Sequence, residues 1–148
     1  MMDDMDQKIV AALIADGRAG NNTIARELGI SEGTVRNRIR KLIDSGYLWV
    51  SAWINPEMVE DHQLFMLGVK VSASKDLTKI ATAISELKEV QSVCITTGRY
   101  DLLVEAWLPS KHGLIQFIDG PMIEIDGIVS TESFLAMKTF KKWLDPGQ

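Results

Sequence analysis

The hydrophobic period first changes near Leu48, and that change constrains the fold more than any other feature. Up to about residue 45, apolar side chains recur only at steps of three and four; from Leu48 onward alternating runs appear, with helical stretches between them. Steps of three and four build amphipathic helices, and alternation builds strands with one buried face. A chain of 148 residues with an all-helical block ahead of a mixed one reads as α+β, a small helical module before a larger one.

In the helical block, Met5, Ile9, Val10, Leu13 and Ile14 mark a first helix. Asp4 with Gln7 three residues later resembles a capping box, and Asp16-Gly17 ends the helix. Residues 22–28 form a second helix with Ile24, Ala25 and Leu28 on one face, stopped by Gly29. Ser31 caps a third, running to about residue 44, with Val35, Ile39 and Leu42 inward and Ser45-Gly46 as its stop. Residues 48–54 read as a strand, with Trp49, Ser51 and Trp53 on the face opposite Leu48, Val50, Ala52 and Ile54. The two tryptophans either cover the helical core or pair with the same segment of a second copy.

The remainder reads strand (63–71), helix (76–87), strand (90–97), strand (101–108), a helix around Leu114, Phe117 and Ile118, and a last strand (128–138). This βαββαβ order predicts a ferredoxin-like α/β sandwich, an antiparallel sheet with both helices on one face. Pro inside a helix is costly, so Asp119-Gly120-Pro121 ends the second helix near Asp119. The sheet's other face still carries apolar side chains, which a sheet from a second copy would cover. The expected domains are a three-helix, winged-helix-like helix-turn-helix domain (1–50), a linker strand and hinge (51–61), and the ferredoxin-like domain (62–148).

The net charge of −4 argues against nucleic acid until the chain is divided. The first fifty residues carry seven Lys/Arg and seven Asp/Glu, so the whole −4 lies beyond them. Within 31–43, Arg36, Arg38, Arg40 and Lys41 face Glu32 alone, a local +3. Charge of this kind on one helix can hold phosphates even in an acidic chain. Ala25 provides a small residue at a helix crossing, Gly29 a turn, and Val35 an apolar anchor on the second helix. That spacing is what a helix-turn-helix requires, and the motif lays its second helix in the DNA major groove. At 100° per residue, the side opposite Val35, Ile39 and Leu42 holds Gly33 and Asn37, with Thr34, Arg40 and Lys41 beside them. Thr34 and Asn37 are the candidates for base edges. Gly33 permits close backbone approach, and Ser31, Arg36, Arg40 and Lys41 suit phosphates. Arg38 borders the buried stripe; it either joins the DNA contacts or pairs with an acid of the first helix such as Asp6.

Other functions fit less well. Four charges in the first ten residues do not suit a secretory signal peptide, and no apolar run approaches the ~20 residues of a membrane span. A single cysteine, Cys94, and two histidines make a zinc site improbable and suit a reducing, cytoplasmic setting. His62 and His112 sit in no nucleophile–base or metal-ligand pattern, so no catalytic residue, metal or cofactor is expected.

The order Asp3…Asp6…Ile9…Leu13…Asp16-Gly17-Arg18…Ala25…Leu28-Gly29-Ile30-Ser31…Thr34-Val35…Arg38-Ile39…Leu42…Gly46 resembles the N-terminal half of the Lrp/AsnC (feast/famine) transcription regulators. Thr97-Gly98-Arg99-Tyr100-Asp101-Leu102 is similar to that family's Gly-x-Tyr-Asp motif, and Asp126-Gly127-Ile128 sits where the family has its Gly-Val or Gly-Ile. The resemblance covers nearly the whole chain. It implies double-stranded DNA as a partner, an amino acid or similar small molecule as effector, dimers through the ferredoxin-like domain, and octamers built from dimers. It places the effector near Thr97, Gly98, Arg99, Tyr100 and Asp101, with Thr131 and Ser133 as further candidates. A Gly turn offers backbone N–H groups to a carboxylate, and Asp101 suits an ammonium. The plainer alternative is a hairpin turn in which Asp101 bonds backbone. Two other functions share this outline: an architectural DNA-binding protein without effector, and a sirohaem-decarboxylase-like enzyme.

Overall fold

The computed structural model describes residues 2–145. The last residues of the expected second domain, 146–148, lie outside them, as does Met1. The chain divides into two compact units, Met1–Ser51 and Ala52–Gln148.

The first unit consists of α1 (Asp4–Ala15), α2 (Asn21–Leu28) and α3 (Glu32–Asp44). Its core is Ile9, Ile24, Ala25 and Val35, with Leu13, Leu28, Ile30 and Ile39 packed around them. Ile9, Ile24 and Val35 are wholly buried, and each contributes about 1.5–3 kcal/mol by leaving water. Between α2 and α3, Gly29 adopts the left-handed conformation (φ 68°, ψ 33°), and the Ile30 N–H donates to the Ala25 carbonyl at 3.0 Å. Ser31 caps α3 through its side chain on the Thr34 N–H. The α1 cap differs from expectation by one residue: it is Asp3, not Asp4, and its box partner is Asp6, not Gln7. Asp3 and Asp6 have the same three-residue spacing, and Asp6 carries an acceptor at least as good.

Among the described residues, 48–53 are not assigned to a strand, and the expected strand over 48–54 is represented by one isolated bridge, Ile54 to Leu144. Trp49 and Trp53 remain 69% and 57% exposed, so neither covers the helical core.

In the second unit, β1 (His62–Val71), α4 (Leu77–Ser85), β2 (Val90–Ile95), β3 (Leu102–Pro109), α5 (Gly113–Phe117) and β4 (Ile128–Leu135) follow the expected order. The sheet order is β2-β3-β1-β4, all pairs antiparallel, the ferredoxin-like arrangement. The last strand ends at Leu135, three residues before the expected 138. Helix α5 is regular only to Phe117; an irregular turn, Ile118–Met122, follows, in which Gly120 is non-helical (φ −102°, ψ −108°) ahead of Pro121.

Alternation sorts the sheet's side chains. Phe65, Leu67, Val69, Leu102, Val104, Ala106 and Leu108 face the helices and form the core with Ile80, Ile84 and Phe117. Met66, Gly68, Leu103, Glu105, Trp107 and Phe134 therefore take the other face. Leu103 and Phe134 there are 38% and 47% exposed. The segment after β4 attaches near the start of β1: the Ala136 N–H donates to Leu64 O at 2.9 Å. It continues with Thr139 on Glu57 at 2.8 Å, Lys142 on Glu105 at 2.7 Å, and the Leu144–Ile54 bridge.

Gly68 lies under the Tyr100 ring. A Cβ there would meet ring carbons at 2.5 and 2.7 Å, and Tyr100 in turn meets Phe134 edge-on at 6.5 Å. Gly68→Ala should lower the unfolding free energy by roughly 1–3 kcal/mol through overpacking, measured by urea denaturation. In the Tyr100→Ala background the same substitution should cost little.

Candidate nucleic-acid interface and effector turn

The burial of Val35 and Leu42 turns a polar side of α3 outward. Ser31, Thr34, Arg36, Asn37, Arg40 and Lys41 are exposed, and Gly33 and Arg38 are half-buried. The candidate DNA-contacting residues thus lie on one helix and its cap. Their local bonds differ. The Ser31 hydroxyl accepts from the Thr34 N–H at 3.1 Å and meets Thr34 Oγ1 at 2.8 Å. Arg36 pairs with Glu32 at 3.5 Å, and Glu32 accepts from Asn21 of α2 at 3.4 Å. Gly33 has room above it: a Cβ would meet nothing closer than 3.9 Å.

Arg38 is engaged inside the unit. Its Nη1 donates to Asp3 Oδ2 and Asp6 Oδ1, both at 2.7 Å. The remaining oxygens of those two carboxylates close the capping box: Asp3 Oδ1 accepts from the Asp6 N–H at 2.8 Å, and Asp6 Oδ2 from the Asp3 N–H at 3.1 Å. The ion pair with Asp6 was one of the two sequence readings; Asp3 as a second partner was missed. Its signal was the three-residue spacing of Asp3 and Asp6. Thr34, Asn37, Arg38 and Lys41 line an open groove of about 830 Å³ together with Asp3, Asp6 and Tyr47.

In the second unit, the residues of the expected effector turn do separate jobs. Thr97, Gly98 and Arg99 are exposed between β2 and β3. Arg99 stacks over Tyr100, 5.4 Å from the ring centroid, and pairs with Glu132 at 3.6 Å. Asp101 is tied to β1: its Oδ2 accepts from the Val71 N–H at 2.8 Å, and its own N–H donates to Val69 O at 3.0 Å. The plainer reading had the Asp101 side chain on the backbone of its own hairpin; instead the carboxylate bonds backbone across the sheet, and within the hairpin only the Asp101 carbonyl accepts, from the Thr96 N–H at 3.0 Å. The Tyr100 hydroxyl is buried without a hydrogen-bond partner among the described residues.

Thr131 and Ser133 are placed differently. They pair with Val69 and Leu67, so they share the helix-facing side of the sheet, whereas Tyr100 covers Gly68 on the other. Thr131 lies in one row with Val69 and Leu102, about 10 Å from the start of β3 at ordinary strand spacing. It lines a cleft of about 190 Å³ with Ile118, Asp119 and Ile123. A larger, mostly apolar cavity of about 390 Å³ also reaches Ile118 and Asp119, with Phe65, His112 and Ile115. His62 stacks on Trp107 at 5.6 Å. Among the described residues, no group of three or more His, Cys, Asp or Glu is placed to hold a metal, and no helix is long and apolar enough to cross a membrane.

Comparison with known proteins decides the family. Residues 2–43 match the AsnC-type helix-turn-helix domain, and residues 64–143 match the Lrp/AsnC ligand-binding domain. The chain belongs to the Lrp/AsnC family. It is therefore a transcriptional regulator with a DNA-binding domain followed by a small-molecule-binding domain. An uncharacterised HTH-type transcriptional regulator of Pyrococcus furiosus is 33% identical over 144 residues, 97% of this chain and 96% of that one. The leucine response regulatory protein of Mycobacterium tuberculosis superposes with a TM-score of 0.82 at 25% identity, covering 95% of each chain. A transcriptional regulator of Neisseria meningitidis, solved as a complex with L-Met, has the same fold: TM-score 0.72, 24% identity, 96% of this chain and 94% of that one.

The Asp3 carboxyl is held below the ordinary 3.8, first by the Asp6 backbone N–H and then by Arg38. A depressed folded-state pKa contributes stability above the unfolded value, and this is lost as pH falls through the folded one. The stability difference between the wild type and Asp3→Asn, measured by urea unfolding across pH, should therefore be greatest near neutrality. It should shrink as the pH drops below about 4.

Proposed function

We propose that this protein is a sequence-specific DNA-binding regulator whose DNA binding or assembly responds to an amino acid or a closely related molecule. The observation that carries the reading is the exposed polar side of α3 within an AsnC-type helix-turn-helix. In this reading Thr34 and Asn37 meet base edges, and Gly33 lets the helix backbone approach. Ser31, Arg36, Arg40 and Lys41 hold phosphates. Arg40 and Lys41 suit that role best, because neither makes an ion pair among the described residues.

The effector binds at the Gly98 turn. Backbone N–H groups and the Thr97 hydroxyl receive its carboxylate, Arg99 adds a cation, and the Asp101 carboxylate faces its ammonium. Thr131 and Ser133 are the more distant candidates. The L-Met complex of the Neisseria relative supports an amino acid as the class of ligand. Two copies pair through the sheet face that carries Leu103 and Phe134, with the exposed Trp49 and Trp53 segments paired alongside, and dimers assemble further, toward octamers. The regulator acts in the cytoplasm, without a catalytic step, a metal or a prosthetic group.

A specific observation favours a second reading. Asp101 and Tyr100 are already occupied in holding the turn to β1, as they would be in an architectural DNA-binding protein with no effector. A thermal-shift screen of the twenty amino acids separates the two. A bound effector raises the melting temperature by linkage; no response at millimolar concentrations favours the architectural protein.

On DNA, Asn37→Ala should cost about 1–3 kcal/mol at the selected site and relax one base position. Arg40→Ala should weaken all sequences alike and lower the salt slope by about 0.9 per phosphate lost. Both are read from binding isotherms at several salt concentrations, and an unchanged base preference in Asn37→Ala would remove that residue from the readout.

A further inference from the structure

We infer that Arg38 is a positioning residue rather than a phosphate ligand: it clamps the recognition helix α3 to the start of α1 and so fixes which side of α3 meets the bases. The inference rests on the DNA-binding reading and deepens it.

Three observations carry it. First, the network is closed. One guanidinium nitrogen bridges Asp3 and Asp6 at 2.7 Å each, and the other oxygen of each carboxylate is taken by the capping box. All four carboxylate oxygens therefore have partners, and a shift of Arg38 toward DNA would leave two of them facing the groove unpaired. Second, the network is partly shielded. Arg38 and Asp6 side chains are 32% and 15% exposed and Asp3 is 54% exposed, so it is the Arg38–Asp6 contact that is stronger than a fully solvated pair. Third, Arg38 stands between the two sides of α3. Val35, three residues back, is wholly buried, and Asn37, the adjacent residue, is exposed. A helix turns 100° per residue, so anchoring Arg38 as well as Val35 allows little rotation of Asn37. The same bridge offsets one of the two negative charges that line the groove shared with Thr34 and Asn37. Left bare, those acids would repel the phosphates that α3 must approach.

A phosphate contact and a brace make opposite forecasts. The test uses the full-length protein, a duplex it selects from a random-sequence pool, and a scrambled duplex of the same length. The variant is Arg38→Gln with Asp3→Asn, which leaves net charge unchanged and keeps an Asn cap on α1. For a brace, binding to the selected duplex weakens roughly twofold to fivefold, the range of one partly exposed ion pair. Binding to the scrambled duplex and the salt slope stay at wild-type values. If the slope falls by about 0.9 per phosphate lost, with both duplexes losing alike as in Arg40→Ala, Arg38 is a phosphate ligand and the inference is overturned. If the double variant does not melt cooperatively, Asp3→Asn alone carries the test. A lower selected-to-scrambled ratio supports the brace, and an unchanged or higher ratio overturns it. A pool that yields no duplex preferred over the scrambled one would overturn the DNA-binding reading itself, before any variant is made.

Discussion

Ile9, Ile24 and Val35 lose all their solvent contact inside a unit of about fifty residues, and the orientation of α3 follows from that burial. A core this small has few ways to fill its volume, because removing one large side chain from it costs several kcal/mol. With Val35 inward, the helical repeat places Asn37 and Arg40 outward. With Gly29 in the left-handed region, the turn before α3 closes within three residues. The DNA-facing chemistry is thus a by-product of apolar packing. The polar residues contribute what they touch, and the buried ones decide where they point.

The second unit obeys a different constraint with a similar result. Alternation gives the sheet two faces, and the helices cover one. On the other, the turn between β2 and β3 folds back so that Tyr100 lies across Gly68 while Asp101 bonds the end of β1. Adjacent residues therefore connect one exposed turn to both the sheet's uncovered face and its central strand. The effector proposed at Thr97 and Gly98 would therefore sit beside groups on the face proposed for pairing.

The helix-turn-helix was legible because its signals are local: step-of-three-and-four burial, Gly29 in the turn, Ser31 as cap. The βαββαβ order was legible for the same reason. Features that depend on distant partners were not. Residues 48–54 alternate, but alternation does not reveal that Ile54 meets Leu144, ninety positions later. Asp101 bonds Val71, thirty positions earlier in the chain, and no spacing rule joins them. Gly68 reads as an ordinary break in a strand pattern until Tyr100 is placed on it. The attachment of Thr139 and Leu144 back to Glu57 and Ile54 follows from the sheet's register alone. Two adjacent aspartates, Asp3 and Asp4, also let the first cap be placed one position too late, at Asp4 instead of Asp3.

The charge on α3 is smaller than its cation count suggests. Arg36 is partly offset by Glu32, and Arg38 by two aspartates; among the described residues only Arg40 and Lys41 of its cations make no ion pair. Each neutralised phosphate adds only a modest increment to affinity, so in the proposed reading one helix-turn-helix offers few free cations to DNA. Affinity of this kind rises steeply when two or more recognition helices are held on one assembly, since the second engages at high effective concentration. An acidic ligand-binding domain with an uncovered apolar sheet face suits that arrangement. In the proposed dimer, association through that face holds two recognition helices on one assembly, so control of assembly becomes control of DNA binding, and the proposed effector need not approach α3 to govern it.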